Sequence, residues 1–391
     1  MSYRELFRTH KVVRQLSSVQ FIAYFGAWFS NVAIYSMLID FGASPFLIAS
    51  VTAMHLIPGI VLSPFSGSIV DRVDVKKLMI ILLSVELTMT LCFLLIHSLD
   101  DVWLLLILLF IRMGSASIFF TTEMTLLPKI LSGIALVKAN EIHSIIWSFT
   151  FTAGMAIGGI VVSIFGSQIS FIIDALFFLM ALLLLSQIHF HVEVSKVHKS
   201  IVKSIQDGIE YMRDNKYLIH YMILHASVGL TAFDTLVTLL ADYHYKFVIA
   251  VPLAIGITNA IRAFALMIGP LLISNWITKE RMFFVFIAQG LSIIFWASVQ
   301  ENFYIGLVGM FLTGIATTTI WSYTYAMLQD KVEAQYLGRV LAYNEMVFMM
   351  GNVTTTFFIG IMASYISLDF ISVILGSMFL IVAIYYKKVF L

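Results

Sequence analysis

Charge is scarce in this chain. Only 12 % of its 391 residues are Asp, Glu, Lys or Arg, against about 25 % in an average soluble domain. So thin a charged shell cannot clothe a water-soluble surface of this size. That excludes a soluble cytoplasmic enzyme, a secreted disulfide scaffold and a disordered chain. Charge of one sign is missing too: 23 Lys and Arg stand against 22 Asp and Glu, a net charge of +1. No basic field exists to hold nucleic acid, so none is expected as a partner. The single cysteine, Cys92, lies in an apolar run from Leu78 to His97. An internal disulfide, a thiolate metal cluster and a CxxC redox pair are all excluded. No Walker sequence, Gly-rich phosphate loop, Ser-His-Asp pattern or HExxH is present, so neither enzymatic chemistry nor ATP-driven pumping by this chain alone is expected.

What the sequence has in abundance is apolar residues: 60 % are hydrophobic, 14 % are aromatic, and the mean hydropathy is +0.97. They come in long uninterrupted runs rather than the alternating stretches of about 10 residues of an outer-membrane barrel. A spanning helix needs about 20 such residues. The runs place spans at 15–40, 46–70, 78–98, 102–127, 139–165, 168–189, 218–242, 252–276, 282–299, 303–326, 338–364 and 369–386. The expected fold class is an all-α membrane protein of twelve transmembrane helices in two pseudo-symmetric six-helix bundles. No room remains for a separate soluble domain, and the N-terminus shows no small-residue cleavage site marking a removable signal peptide.

The basic residues set the orientation. Twenty of the 23 fall in the two tails and the loops on one face, Lys246 alone falls on the other, and Arg112 and Arg262 lie inside spans. Both termini are therefore expected in the cytoplasm, with the chain integral to the cytoplasmic (inner) membrane of a bacterial host. The longest polar stretch separates a bundle over 1–190 from one over 218–391. The linker, 191–217, contains a short amphipathic helix with Ile205, Ile209 and Met212 on one face, lying on the membrane surface. The halves echo each other. Asn140-Glu141 and Asn344-Glu345 are 204 residues apart, and the same offset carries the basic loop 71–77 onto 275–281. Parallel six-helix repeats are a transporter architecture, with the substrate bound between the halves.

The loop after the second span reads Gly67-Ser68-Ile69-Val70-Asp71-Arg72-Val73-Asp74-Val75-Lys76-Lys77. It resembles the G-x-L-a-D-R-x-G-R-K motif of the major facilitator superfamily, with Asp74 in place of the second glycine and Val75 in place of the next arginine. Arg112-Met113-Gly114 is similar to the family's membrane-embedded arginine motif. Gly154-Met155-Ala156-Ile157-Gly158-Gly159 is similar to its small-residue antiporter motif, with Met155 where proline is usual. Leu136–Glu141, Phe171–Phe178 and Tyr336–Val340 resemble a branch that contains siderophore exporters and macrolide efflux pumps. The resemblance covers essentially the whole chain. It implies a secondary active transporter that exports an amphiphilic molecule by alternating access, driven by protons moving inward. A lysophospholipid transporter of the same fold and a metal or metallophore exporter are the alternatives.

Each ionisable group within a span costs about 2.5–3.5 kcal/mol on insertion scales and asks for a reason. The resemblance puts the first, fourth, seventh and tenth spans around the central cavity. Arg112, in the fourth, is a substrate-anion contact, a cation acting on a nearby carboxylate, or half of a fixed interhelical ion pair. Asp234, in the seventh, is a carboxylate that can exchange protons near neutrality, or a partner of Arg262 in the eighth. Glu86 is a proton carrier or an inward packing contact. Trp28 and Tyr24 in the first span, with Trp321 and Tyr325 in the tenth, offer an aromatic, stacking wall. For gating, the candidates are Gly67, Asp71, Arg72, Lys76 and Lys77, whose ion pairs form in one conformation and break in the other. Glu141, Glu345 and Arg339 are placed to latch the same gate, or the two glutamates cap their helices. His55 and His225 are relay candidates or satisfied polar contacts, and the His189–His191 pair lacks the companions of a metal site. The expected partners are a small-molecule substrate, protons and the bilayer, with a monomeric chain and no cofactor or metal.

Overall fold

A computed structural model describes residues 2–189, 201–273, 276–333 and 336–391, apart from the surroundings of Gly67 and the side chains of Pro64, Ser68, Asp71, Arg72, Val137, Ile201, Val202, Ser204 and Ile205. Residues 190–200, which include the start of the expected linker and His191, lie outside the described residues. Every regular element among the described residues is helical. In chain order the α-helices are α1 (Tyr3–Thr9), α2 (Lys11–Asp40), α3 (Pro45–Ala53), α4 (Ile57–Arg72), α5 (Val75–Cys92), α6 (Val102–Ile130) and α7 (Gly133–Gln187). They continue as α8 (Ile201–Asp214), α9 (Leu218–Ala226), α10 (Asp234–Tyr243), α11 (Val251–Ile273), α12 (Met282–Val299), α13 (Phe303–Lys331), α14 (Leu337–Met362) and α15 (Leu368–Phe390).

Among the described residues, eleven helical stretches are long and apolar enough to cross a membrane. One of them, α7, has 55 residues, a length of about 80 Å at 1.5 Å per residue, against about 30 Å of hydrocarbon. It breaks at Gly166, whose φ of 78° and ψ of 172° are not helical. That region is open essentially to glycine alone, and Gly166 falls between the expected fifth and sixth spans. Counted as two crossings there, α7 brings eleven stretches to twelve.

Two other spans are discontinuous, which hydropathy does not reveal. The second is divided into α3 and α4 by a turn at Met54–Leu56. Pro58 lacks an N–H and its ring crowds the carbonyl four residues back, at Met54, where α3 ends. The seventh is divided into α9 and α10 by a 3-10 turn at Ser227–Thr231 followed by Ala232 and Phe233. Ser227 and Thr231 hydroxyls donate to the carbonyls of Leu224 and Val228, competing with the α-helical ladder.

The chain forms two compact units, one of residues 1–42 and 61–198 and the other of residues 43–60 and 199–391. In the first, α2 packs along α7. The approach is close because α7 presents glycine: a Cβ on Gly158 would stand 2.7 Å from the Phe29 carbonyl oxygen. In the second, α11 and α12 pack on α13, α12 on α15, and α3 on α14. The short helix of the linker forms as α8 and docks on this unit. Tyr211 and Met212 join Leu218, Met222, Leu328 and Val340 in one apolar cluster. Ile209, expected on the same face as Met212, is exposed instead.

Candidate functional site

In the first unit, Arg112 is buried within α6, and it does not stand alone. Its guanidinium donates to Asp174 Oδ2 of α7 at 2.8 Å and to Ser30 Oγ of α2 at 3.1 Å. Ser30 in turn donates to the same carboxylate oxygen at 2.5 Å. Phe93 and Phe178 lie 5.4 and 5.3 Å from the guanidinium carbon, flanking it with ring faces. Arg112 and Asp174 are 2 % and 0 % exposed. The structure thus places Arg112 in an interhelical ion pair, one of the alternatives its position left open. Gly26 lets Asp174 in, because a Cβ there would collide with Asp174 Oδ1.

Glu86 is also buried, on α5, and has no hydrogen-bond or ion-pair partner among the described residues. Glu123 is a second buried carboxylate, on α6, and accepts the Tyr24 hydroxyl of α2 at 3.1 Å. Next to it Gln20 Nε2 of α2 donates to His143 Nδ1 of α7 at 2.7 Å. The His143 ring stands edge-on to Tyr24 and Phe120. Gln20, Glu123 and His143 line one crevice with Val13, Leu16 and Leu127. Trp28 packs instead on Phe151 and Trp147, with ring centroids 4.4 and 5.7 Å apart.

In the second unit the break between α9 and α10 frees backbone groups inside a span. Arg262 of α11 takes one of them: its Nη2 donates to the Thr231 carbonyl at 2.6 Å, and Nη1 donates to Asp234 Oδ2 at 3.4 Å. Asp234, in the first turn of α10, also faces that helix's positive dipole end. The sequence leaves Asp234 as a proton-exchanging carboxylate or a partner of Arg262, and the structure brings the two together.

A further cluster joins α9, α13 and α14. His225, fully buried on α9, meets Thr324 Oγ1 through Nδ1 at 3.0 Å, and its Nε2 stands 3.6 Å from Glu345 Oε1. Trp321 and Tyr325 stack on each other at 5.0 Å and, with Phe348, wall the imidazole at 5.3 to 5.5 Å. The aromatic pair expected on the tenth span and the glutamate expected at the gate therefore share one histidine.

Of the other gating candidates, Gly67 and the side chains of Asp71 and Arg72 have surroundings outside the described residues. Lys76 Nζ donates to the Ser186 carbonyl at 2.8 Å, at the C-terminal end of α7 where a cation suits the dipole. Lys77 contributes its backbone N–H to the Asp74 cap of α5. Glu141 binds Lys138 Nζ at 2.7 Å and the Tyr3 hydroxyl at 2.6 Å. Arg339 lies 3.7 Å from Asp207 of α8.

Sequence reasoning passed over Glu123, His143 and Gln20. One signal was available: Glu123 follows Arg112 by eleven residues, about three helical turns, so both lie on one face of α6. The clusters also sit at matching places in the repeat. Gln20, Tyr24, Glu123 and His143 occupy the first, fourth and fifth spans. His225, Tyr325 and Glu345 occupy the seventh, tenth and eleventh. Moved back by the 204-residue offset, His225 falls beside Gln20, and Glu345 falls two residues before His143.

Residues 16–299 match the model of the Major Facilitator Superfamily. Macrolide efflux protein A of Streptococcus pyogenes is 22 % identical over 333 residues, 80 % of this chain and 79 % of that protein. The staphyloferrin A transporter of Staphylococcus aureus is 23 % identical over 212 residues, 53 % of this chain and 51 % of that protein. Among solved structures, a D-xylose-proton symporter superposes with a TM-score of 0.76 at 12 % identity, covering 99 % of this chain and 98 % of the other. The nucleoside transporter NupG superposes with a TM-score of 0.74 at 14 % identity, covering 97 % of this chain and 99 % of the other. At such identities the superpositions speak for the fold, and the family match, spanning most of the chain, speaks for descent: the chain belongs to the Major Facilitator Superfamily and is a multi-pass membrane transporter.

Proposed function

We propose that this transporter exports an amphiphilic small molecule of the macrolide or siderophore kind in exchange for protons, by alternating access across a cytoplasmic membrane. The observation that carries the reading is the similarity to macrolide efflux protein A over 80 % of the chain. The buried ionisable groups Arg112, Asp174, Glu86 and Glu123 support it, as do His225 and Glu345, because each must repay its insertion cost with pairing or proton traffic. On this reading the bundles 1–190 and 218–391, joined by 191–217, rock about the substrate as a monomer. Both termini are cytoplasmic, and Gly67, Asp71, Arg72, Lys76, Lys77, Glu141 and Arg339 work the cytoplasmic gate. Trp28, Tyr24, Trp321 and Tyr325 supply aromatic surface to the substrate. The test is accumulation of radiolabelled erythromycin by susceptible cells expressing the chain. Accumulation is expected to fall on expression and to recover when a protonophore collapses the gradient. Low accumulation that persists with the protonophore refutes proton coupling.

A further inference from the structure

The hydrogen bonds around His225 favour one arrangement of its protons. Thr324 donates its one hydroxyl proton to backbone, the Ile320 carbonyl at 2.8 Å with the Trp321 carbonyl at 3.1 Å. Thr324 Oγ1 therefore meets His225 Nδ1 as an acceptor, and Nδ1 carries the hydrogen of the neutral ring. Nε2 is left with a lone pair, buried and without a hydrogen-bond partner. It faces Glu345 Oε1, a second acceptor that also has none. Two acceptors held 3.6 Å apart inside a span repel, and one proton between them turns that repulsion into a charge-assisted hydrogen bond.

We propose that His225 and Glu345 form a proton-binding site of the second unit, taking up one proton between Nε2 and Oε1. The step balances simply. A hydronium ion gives its proton to Nε2, one N–H bond forms, one O–H bond breaks, and the pair passes from a charge of −1 to neutral. Return of the proton to water restores the neutral imidazole. Glu345 is 30 % exposed while His225 is sealed, so the proton enters and leaves past the carboxylate. The groups facing the imidazole from the packed helices are Tyr325, Trp321 and Thr324 of α13 and Glu345 and Phe348 of α14. On α15, Tyr385 is engaged by His220 of α9 at 2.5 Å and Tyr386 donates to the Lys279 carbonyl at 2.8 Å. Glu345 is thus the only carboxylate paired with His225 among the described residues. The site's role in transport rests on the proton-coupled reading above, whereas its proton binding does not.

Trp321 reports on the site directly, since its ring lies 5.3 Å from the imidazole and protonated imidazole quenches indole fluorescence. The experiment uses the purified, substrate-free protein in detergent, with Trp321 kept as its sole tryptophan and the others replaced by phenylalanine. Fluorescence is followed across about pH 5 to 8, the range in which histidine ordinarily changes charge. One quenching step is expected. His225→Gln removes it by removing the acceptor. Glu345→Gln removes it because the amide N–H donates to Nε2 and occupies the proton's place. Glu345→Asp, which keeps a carboxylate, retains it and guards against loss by misfolding. A step that persists unchanged in both glutamine variants, or no step in the parent, overturns the proposal. Erythromycin efflux from proteoliposomes under an imposed pH gradient separates the two readings. If the parent shows the quenching step but no gradient-driven efflux, proton coupling fails while the site stands. If gradient-driven efflux survives both glutamine substitutions, proton coupling stands and the site's transport role falls.

Discussion

Replacing one member of the Arg112–Asp174 pair should harm the protein far more than replacing both. At 2.8 Å and an effective dielectric of about 20, the Coulomb attraction is about 6 kcal/mol. Desolvating two buried ions costs several kcal/mol each, so the intact pair adds little net stability. Arg112→Met removes the attraction and leaves the desolvation. Asp174 would stay fully buried with Ser30 as its donor and Oδ1 unpartnered, a loss of about 3–5 kcal/mol. Asp174→Leu strands Arg112 at a similar cost, with the Phe93 and Phe178 faces softening it somewhat. The double variant leaves no buried charge and should lie within about 1–2 kcal/mol of the parent. Reversible unfolding in mixed micelles of rising SDS fraction, followed by helical circular dichroism, measures all four proteins. Single variants within about 1 kcal/mol of the parent, or a double variant that loses the sum of the singles, would refute the reasoning.

Three smaller perturbations test other parts of the account. Gly166→Ala forces a side chain into φ 78° and should lower stability by about 1–3 kcal/mol, read as a reduced melting temperature. Gly158→Val drives side-chain atoms into the Phe29 carbonyl, 2.7 Å from the position of a Cβ. A loss of about 1–3 kcal/mol from overpacking is expected in the same SDS titration. Arg262→Met leaves the Thr231 carbonyl without its 2.6 Å donor. Because Asp234 is 31 % exposed, water replaces part of the lost ion pair. The damage should therefore appear as faster hydrogen exchange at the start of α10 rather than as global unfolding.

The spans were legible because a bilayer demands long apolar runs, and no soluble fold at 12 % charge competes with that reading. Gly166 lies in the short gap between the expected fifth and sixth spans, so a boundary set by composition coincides with a backbone break. The interruption at Ser227–Thr231 was not legible: its Ser, Val, Gly, Leu and Thr are apolar or small enough to pass as helix, and the turn depends on local side-chain to backbone bonds. Pro58 was visible in the sequence, and the break it makes at Met54 was readable from the four-residue reach of its ring. Arg112 stood out as a cation inside a span. Its partner, 62 residues away on another helix, follows only from which helix faces meet. For the same reason Glu123 and His143 escaped notice, each being a single polar letter whose meaning depends on neighbours from other helices. His225 was visible as a polar residue in a span, but its pairing with Glu345 needed the packing of α9 against α14.

The central claim is that proton movement and substrate export are one process. Purified protein in liposomes loaded with a pH-sensitive dye, given a gradient of the macrolide erythromycin and no imposed pH gradient, measures it directly. Erythromycin crossing in one direction is expected to drive protons in the other, with dye and radiolabel signals rising together and both lost in Glu345→Gln. Erythromycin transport with no accompanying dye signal would contradict the account.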